Sequence, residues 1–243
     1  DPISVEPKEV APPADAKAVA AARQVVAEAL AAKGGKKVGS FKSLHMTANG
    51  MTTIQGQSLP VEIERELVLP DKMRIDATIA KQLKVTVAVD GKTGWELAPD
   101  PKTGKPGLQE LNGNDMAAAQ FEAWREAELI LVKANDPAAK LTPLADDTID
   151  GKPQAVVQLA SPFGSLAVTL FIDKKTKLVT RMAYTDAGQT ETDDFSDYRD
   201  IKGIKVAFKR NSATSGRNTT LTVDKVELDN AVAPDLFKKP AAP

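Results

Sequence analysis

The chain has no cysteine, and His45 is its single histidine in 243 residues. Disulfides are therefore excluded. Zinc sites draw on several Cys or His ligands, and most nucleophile–base pairs use a His, so both chemistries lose their usual residues. Charge of one sign is lacking too: the net charge is −1 with a pI near 6.0, which argues against nucleic acid as a main partner. Long apolar runs are missing. No window approaches the roughly 18 apolar residues of a membrane-spanning helix, so none is expected. The start, Asp1-Pro2, shows no basic and apolar leader. Aromatic residues are scarce at 5%. These absences leave binding, without cofactor or metal and without catalysis, as the expected activity.

Hydrophobic residues make up 42%, enough for a real core. Pro2, Pro7, Pro12 and Pro13 make residues 1–14 read as an extended linker, and residues 238–243 read as a tail. Between them, residues 15–237 show no seam and are expected to form one domain. Asp15 can cap a helix running to about Ala32, whose stripe is mostly alanine; Gly34 and Gly35 stop it. Lys33, Lys36 and Lys37 follow as cations for its negative end.

From Phe41 the apolar period becomes two. Val61, Ile63, Leu67 and Leu69 share one face, which Arg65 interrupts. Met73, Ile75, Ala77 and Ile79 repeat the pattern, as do Leu83, Val85, Val87 and Val89. One wet and one dry face is the mark of antiparallel strands. Asp90-Gly91 is a hairpin turn leading to Trp95 and Leu97. Residues 98–107 read as a turn-rich loop. A second helix is expected from about Asp115 to Ala134, carrying Phe121, Trp124 and Leu129, with Pro137 ending it. Strands resume with Ala155–Leu159, Leu166–Ile172, Leu178–Tyr184, Glu191–Tyr198, Lys205–Asn211 and Thr219–Leu228. The expected fold class is α+β and mostly antiparallel: one open, strongly curved sheet, a half-barrel, with helices on its concave face.

Three local features invite chemistry. His45 has no second His with which to share a metal. Asp193, Asp194, Asp197 and Asp200 could suggest calcium, but period-two spacing splits them between two faces and a turn. Asp146-Asp147-Thr148-Ile149-Asp150-Gly151 resembles an EF-hand start but has Val157 where the bidentate Glu belongs, and reads as a strand ending in a turn.

Short segments in a fixed order carry a resemblance. Ser40-Phe41, Gly56-Gln57, Leu69-Pro70-Asp71-Lys72-Met73-Arg74, Asp90-Gly91-Lys92-Thr93-Gly94-Trp95 and Val232-Ala233-Pro234-Asp235-Leu236-Phe237 look like the periplasmic lipoprotein carriers LolA and LolB. The match covers about residues 15–240. Asp150-Gly151-Lys152-Pro153, Ser196-Asp197-Tyr198-Arg199-Asp200 and Gly203-Ile204-Lys205-Val206-Ala207-Phe208 resemble a looser branch, also found fused behind insulinase-type zinc peptidases. The resemblance implies a half-barrel whose apolar cavity accepts a lipid or a lipoprotein acyl chain, and a periplasmic, outer-membrane-associated location for a monomer. The lining it implies is Leu67, Leu69, Ile75, Ile79, Val85, Val87, Trp95, Phe121, Trp124, Leu129, Leu166, Val168, Leu170 and Met182. For Trp95, the plain core reading is preferred. In the carriers a basic residue precedes the proline and helps control cargo release; here Leu69 stands before Pro70. The alternative is a non-catalytic accessory domain of a larger envelope protein, binding a protein partner. The peptidase's paired-His zinc motif is absent.

Overall fold

The computed structural model describes residues 15–54, 56–100, 103–186, 188–214 and 216–241, apart from the Asp186 side chain. The Pro-rich stretch 1–14 and the last two residues of the tail lie outside them. Helix α1 spans Ala16–Lys33. Asp15 caps it, accepting from the Lys17 N–H at 3.2 Å. It ends at Gly34, whose φ of 144° suits glycine alone and whose N–H reaches back to Leu30 and Ala31.

Six strands follow in meander order: β1 (Ser43–Ile54), β2 (Gln57–Val68), β3 (Lys72–Ile79), β4 (Leu83–Asp90), β5 (Thr93–Pro99) and β6 (Pro106–Glu110). Helices α2 (Gly113–Trp124) and α3 (Ile130–Ala134) come next. Seven more strands wind back: β7 (Leu141–Ile149), β8 (Lys152–Ala160), β9 (Ala167–Asp173), β10 (Val179–Asp186), β11 (Gln189–Ile201), β12 (Ile204–Thr214) and β13 (Arg217–Leu228). All thirteen belong to one sheet, in the order β6-β5-β4-β3-β2-β1-β13-β12-β11-β10-β9-β8-β7. The last strand pairs antiparallel with the first, so the sheet is continuous and its two edges, β6 and β7, are the strands that flank the helical crossing. This is the expected open, curved antiparallel sheet with helices on its concave face.

Two expectations need correction. Both ends of the loop expected over residues 98–107 are strand, 98–99 in β5 and 106–107 in β6: Pro106 pairs with Pro99 at the sheet edge, where a missing N–H is tolerated. The second helix is broken. Residues 125–129 leave the helical path between α2 and α3, although Arg, Glu, Ala and Leu are all good helix formers. The ion pairs made by this link, described below, override that propensity.

Helix α1 presents Ala22, Val26, Ala29 and Lys33 to the sheet. The alanines let it lie against β7, β8, β12 and α3. The core on which it packs includes Leu159, Val168 and Leu170, sealed at 1% exposure or less. Arg23 fastens the helix, donating to the Pro137 and Ala139 carbonyls at 3.1 and 2.9 Å. Asn135 donates to the Val26 carbonyl at 2.9 Å. A second core closes one end of the half-barrel around Val38, Leu44, Leu67, Met73 and Val206. The first turns of α2 cover a corner, where Met116 and Ala119 meet Leu111 and Val89.

Candidate functional site

Cross-strand register places Ala48, Ile63 and Ala77 side by side, then Gly50, Val61 and Ile79, then Met46, Arg65 and Ile75. Val87 and Val85 continue the face on β4, opposite Ile75 and Ala77. At Gly50 a Cβ would collide with the Thr220 carbonyl of β13, so this inward position is kept bare where the two halves of the sheet meet. The surface so formed is aliphatic and concave. No helix packs down on most of it. A cavity of about 400 Å³ lies over it, within the usual size of a small-molecule site. Opposite stand Thr52, Asp193, Ser212, Thr214, Arg217 and Thr219.

The α2–α3 link forms the inner end of the cavity, and it is charged. Arg65 of β2 donates to Glu126 at 2.8 Å and to Glu122 at 3.0 Å. Arg210 of β12 donates to Glu128 at 2.7 Å and to the Ala207 carbonyl at 3.2 Å. Arg125 donates to Asp193 at 2.9 Å, its guanidinium lying 3.8 Å from the centre of the Tyr184 ring. Ser212 donates to the other Asp193 oxygen at 2.6 Å. The link is thus tied to strands on both sides of the half-barrel. Glu126 and Glu128 are 2% and 1% exposed, and Glu126 Oε1 and Glu128 Oε2 have no donor.

One proton shared between these two carboxyls would give each bare oxygen a partner. Burial pushes Glu126 up to about 7, despite Arg65. Burial also acts upward on Glu128, but Arg210, the hydrogen bond with Glu126 and the Lys33 ammonium hold it below the usual carboxylate range. Burial thus favours the protonated form at Glu126 over Glu128. Lys33 is buried beside this pair, 5.8 Å from the Tyr198 ring centre, and burial lowers its pKa. It does more than balance a helix end.

Of the residues the resemblance implied, Ile75, Ile79, Val85, Val87 and Met182 line the cavity. Val168 and Leu170 lie in the sealed core under α1, with Phe121, and with Trp124 and Leu166 packed against it. Phe121 stacks on Trp124 at 6.0 Å and meets Tyr184 edge-on at 6.1 Å. Leu67 and Leu129 belong to the closed-end core, with Leu69 against it. Trp95 does not face the cavity. Its register partner is Ala88, not Val87 or Val89, so it sits on the convex face. There it donates to the Phe237 carbonyl at 2.8 Å, with the Arg74 guanidinium 5.5 Å from its ring centre. This is the core-anchor role rather than the ligand role. Ile63, Ala77 and Val61 line the cavity unforeseen, although their alternation was plain. Arg65, breaking an apolar face at an inward position, was the visible sign of the charged link.

The other candidates resolve into structural roles. His45 Nδ1 lies 2.9 Å from Glu66, which also accepts from Asn230 at 2.7 Å. Asp193 pairs with Arg125, Asp194 with Arg181 and Asp197 with Arg199. Among the described residues no three His, Asp or Glu side chains converge as a metal set. Residues 141–149 form β7, ending in the turn at Asp150-Gly151.

No protein-family model matches the chain, and no curated protein does. Solved structures do. A DUF1329 family protein from Desulfovibrio piger is 12% identical over 90% of this chain and 97% of its own, with a TM-score of 0.58. A LolA superfamily protein from Nitrosomonas europaea is 14% identical over 89% and 97%, at 0.56. A proposed outer-membrane lipoprotein-sorting domain from Vibrio parahaemolyticus is 12% identical over 89% and 96%, at 0.55. At such identities the likeness is one of fold: the chain is a LolA-like half-barrel along nearly its whole described length.

Proposed function

We propose that the protein is a non-enzymatic periplasmic carrier that holds a lipid, or the acyl chain of a lipoprotein, between its curved sheet and the α2–α3 link. One observation carries this reading. The aliphatic faces of β2, β3 and β4 are only partly covered and front a cavity of about 400 Å³. Burying a methylene contributes about 0.8 kcal/mol, so ten methylenes would contribute roughly 8 kcal/mol before ordering costs. That suffices for retention without polar machinery. The fold shared with LolA-superfamily structures supports the same use and the same compartment.

An accessory domain that recruits a partner strand is less well supported. Edge strand β7 carries Pro143, exposed Asp146 and Asp147 and a register shift between Leu144 and Asp147, all of which discourage strand addition. Native mass spectrometry of protein purified without detergent tests the carrier reading. A co-purifying adduct of lipid mass, released by organic solvent, is the expected result. A bare mass that stays bare after incubation with phospholipid vesicles contradicts it.

A further inference from the structure

The cavity is not uniformly greasy. Apart from the charged link, its polar groups gather along one flank of the fold. On one side Val61, Ile63, Ile75, Ala77, Val85 and Val87 offer hydrocarbon alone. On the other, Thr52, Asp193, Ser212, Thr214, Arg217 and Thr219 offer hydroxyls, a carboxylate and a guanidinium. Met182, Tyr184, Phe195 and Leu221 share the lining with them. Register makes the division systematic. Asp193, Ser212, Thr219 and Thr52 lie opposite one another across β11, β12, β13 and β1, a single polar row. The row bonds within itself: Thr52 to Thr219 at 2.9 Å, Ser212 to Asp193 at 2.6 Å. It is not saturated. A hydroxyl pair joined by one bond keeps one proton to donate and spare lone pairs, and a carboxylate accepts more than two bonds. An unbranched acyl chain laid here would displace water from those groups and return nothing.

Resting on the carrier reading, we propose that the cavity selects a facially amphipathic lipid: a compact apolar body with hydroxyls along one flank. The apolar flank lies on β2–β4 and the hydroxyls meet the row from Asp193 to Thr52. The charged link at Arg65 and Glu126 ends the apolar wall and favours a short, broad ligand over a long straight one.

Three carboxylates of one ring skeleton read this directly: cholanic acid without a ring hydroxyl, lithocholate with one and deoxycholate with two. Each competes below its micellar concentration against a polarity-sensitive naphthylamine dye, with palmitate alongside. Affinity is expected to rise about fivefold per hydroxyl. Thr219→Val is expected to flatten the series, bringing the hydroxylated acids down toward cholanic acid. An order that follows hydrophobicity, with cholanic acid tightest, overturns the proposal. So does palmitate binding with none of the three, an outcome that leaves the carrier reading standing. If none of the four binds and the dye itself does not, both readings fall.

Discussion

Strands β8–β10 and strands β2–β4 carry the same alternation of inward aliphatic residues, and the molecule treats them oppositely. In the first group Leu159, Val168 and Leu170 are sealed in the core on which α1 packs. In the second Ile63, Ile75, Ala77, Val85 and Val87 stay partly exposed. The difference lies in what covers them. Helix α1 is rich in alanine on its buried face and docks closely; the start of α2 meets β4 and β5, its end sends Phe121 to Tyr184 and Glu122 to Arg65, and the chain then breaks into the charged link. Alternation tells which face of a strand turns inward. It does not tell whether another element packs upon it.

That contrast can be broken in several places. The largest effect is expected at the seam between the halves. Glu128→Gln strips Arg210 of its buried counter-ion and should cost about 3–5 kcal/mol in urea unfolding. Next, Leu170→Ala in the sealed half should cost about 2–5 kcal/mol by the same measurement. A loss under about 1 kcal/mol at Leu170 would mean that half is not tightly packed.

The carboxyl pair at the seam predicts a pH dependence. Glu126 sits near 7 in the folded chain, above its ordinary value of 4.5. The folded state therefore holds an extra proton between these values, and stability falls as pH rises through them. Stability to urea should decline between pH 5 and pH 7.5 and level off above it. Glu126→Gln should flatten that slope. The lowered Glu128 acts below 4.5, and Lys133, lowered to about 8 by burial, acts above the window. The smallest effect belongs to the open wall. Ile75→Ala should cost less than about 1.5 kcal/mol, because the side chain is only partly buried and leaves no sealed void.

Much of the fold was legible in the chain. Period-two runs marked nearly every strand, Asp15 and Gly34 marked α1, and Pro137 the end of the helical crossing. Trp95 was legible in principle. The Gly91-Lys92 turn pairs Asp90 with Thr93, and counting back sets Trp95 opposite Ala88, on the outer face. The broken helix was not legible, since nothing local distinguishes Glu126 and Glu128 from solvent-facing residues; only the arginines brought from β2 and β12 turn them inward. Nor was the polar row. Ser212, Thr214 and Thr219 belong to strands whose alternation looks merely mixed, and their meaning comes from neighbours far away in sequence. The site residues inferred from resemblance divided accordingly: those on β3 and β4, with Met182 of β10, reach the cavity, while Val168, Leu170 and Phe121 serve the core.

The central claim is that the wall of β2–β4 faces a hollow that a lipid fills. Titration of a naphthylamine dye into the wild type and into Ala77→Trp, with thermal unfolding of both, tests it most directly. Saturable single-site binding in the wild type, lost in the tryptophan variant while its unfolding midpoint holds or rises, is the result expected. Equal binding by both proteins, or by neither, would contradict it.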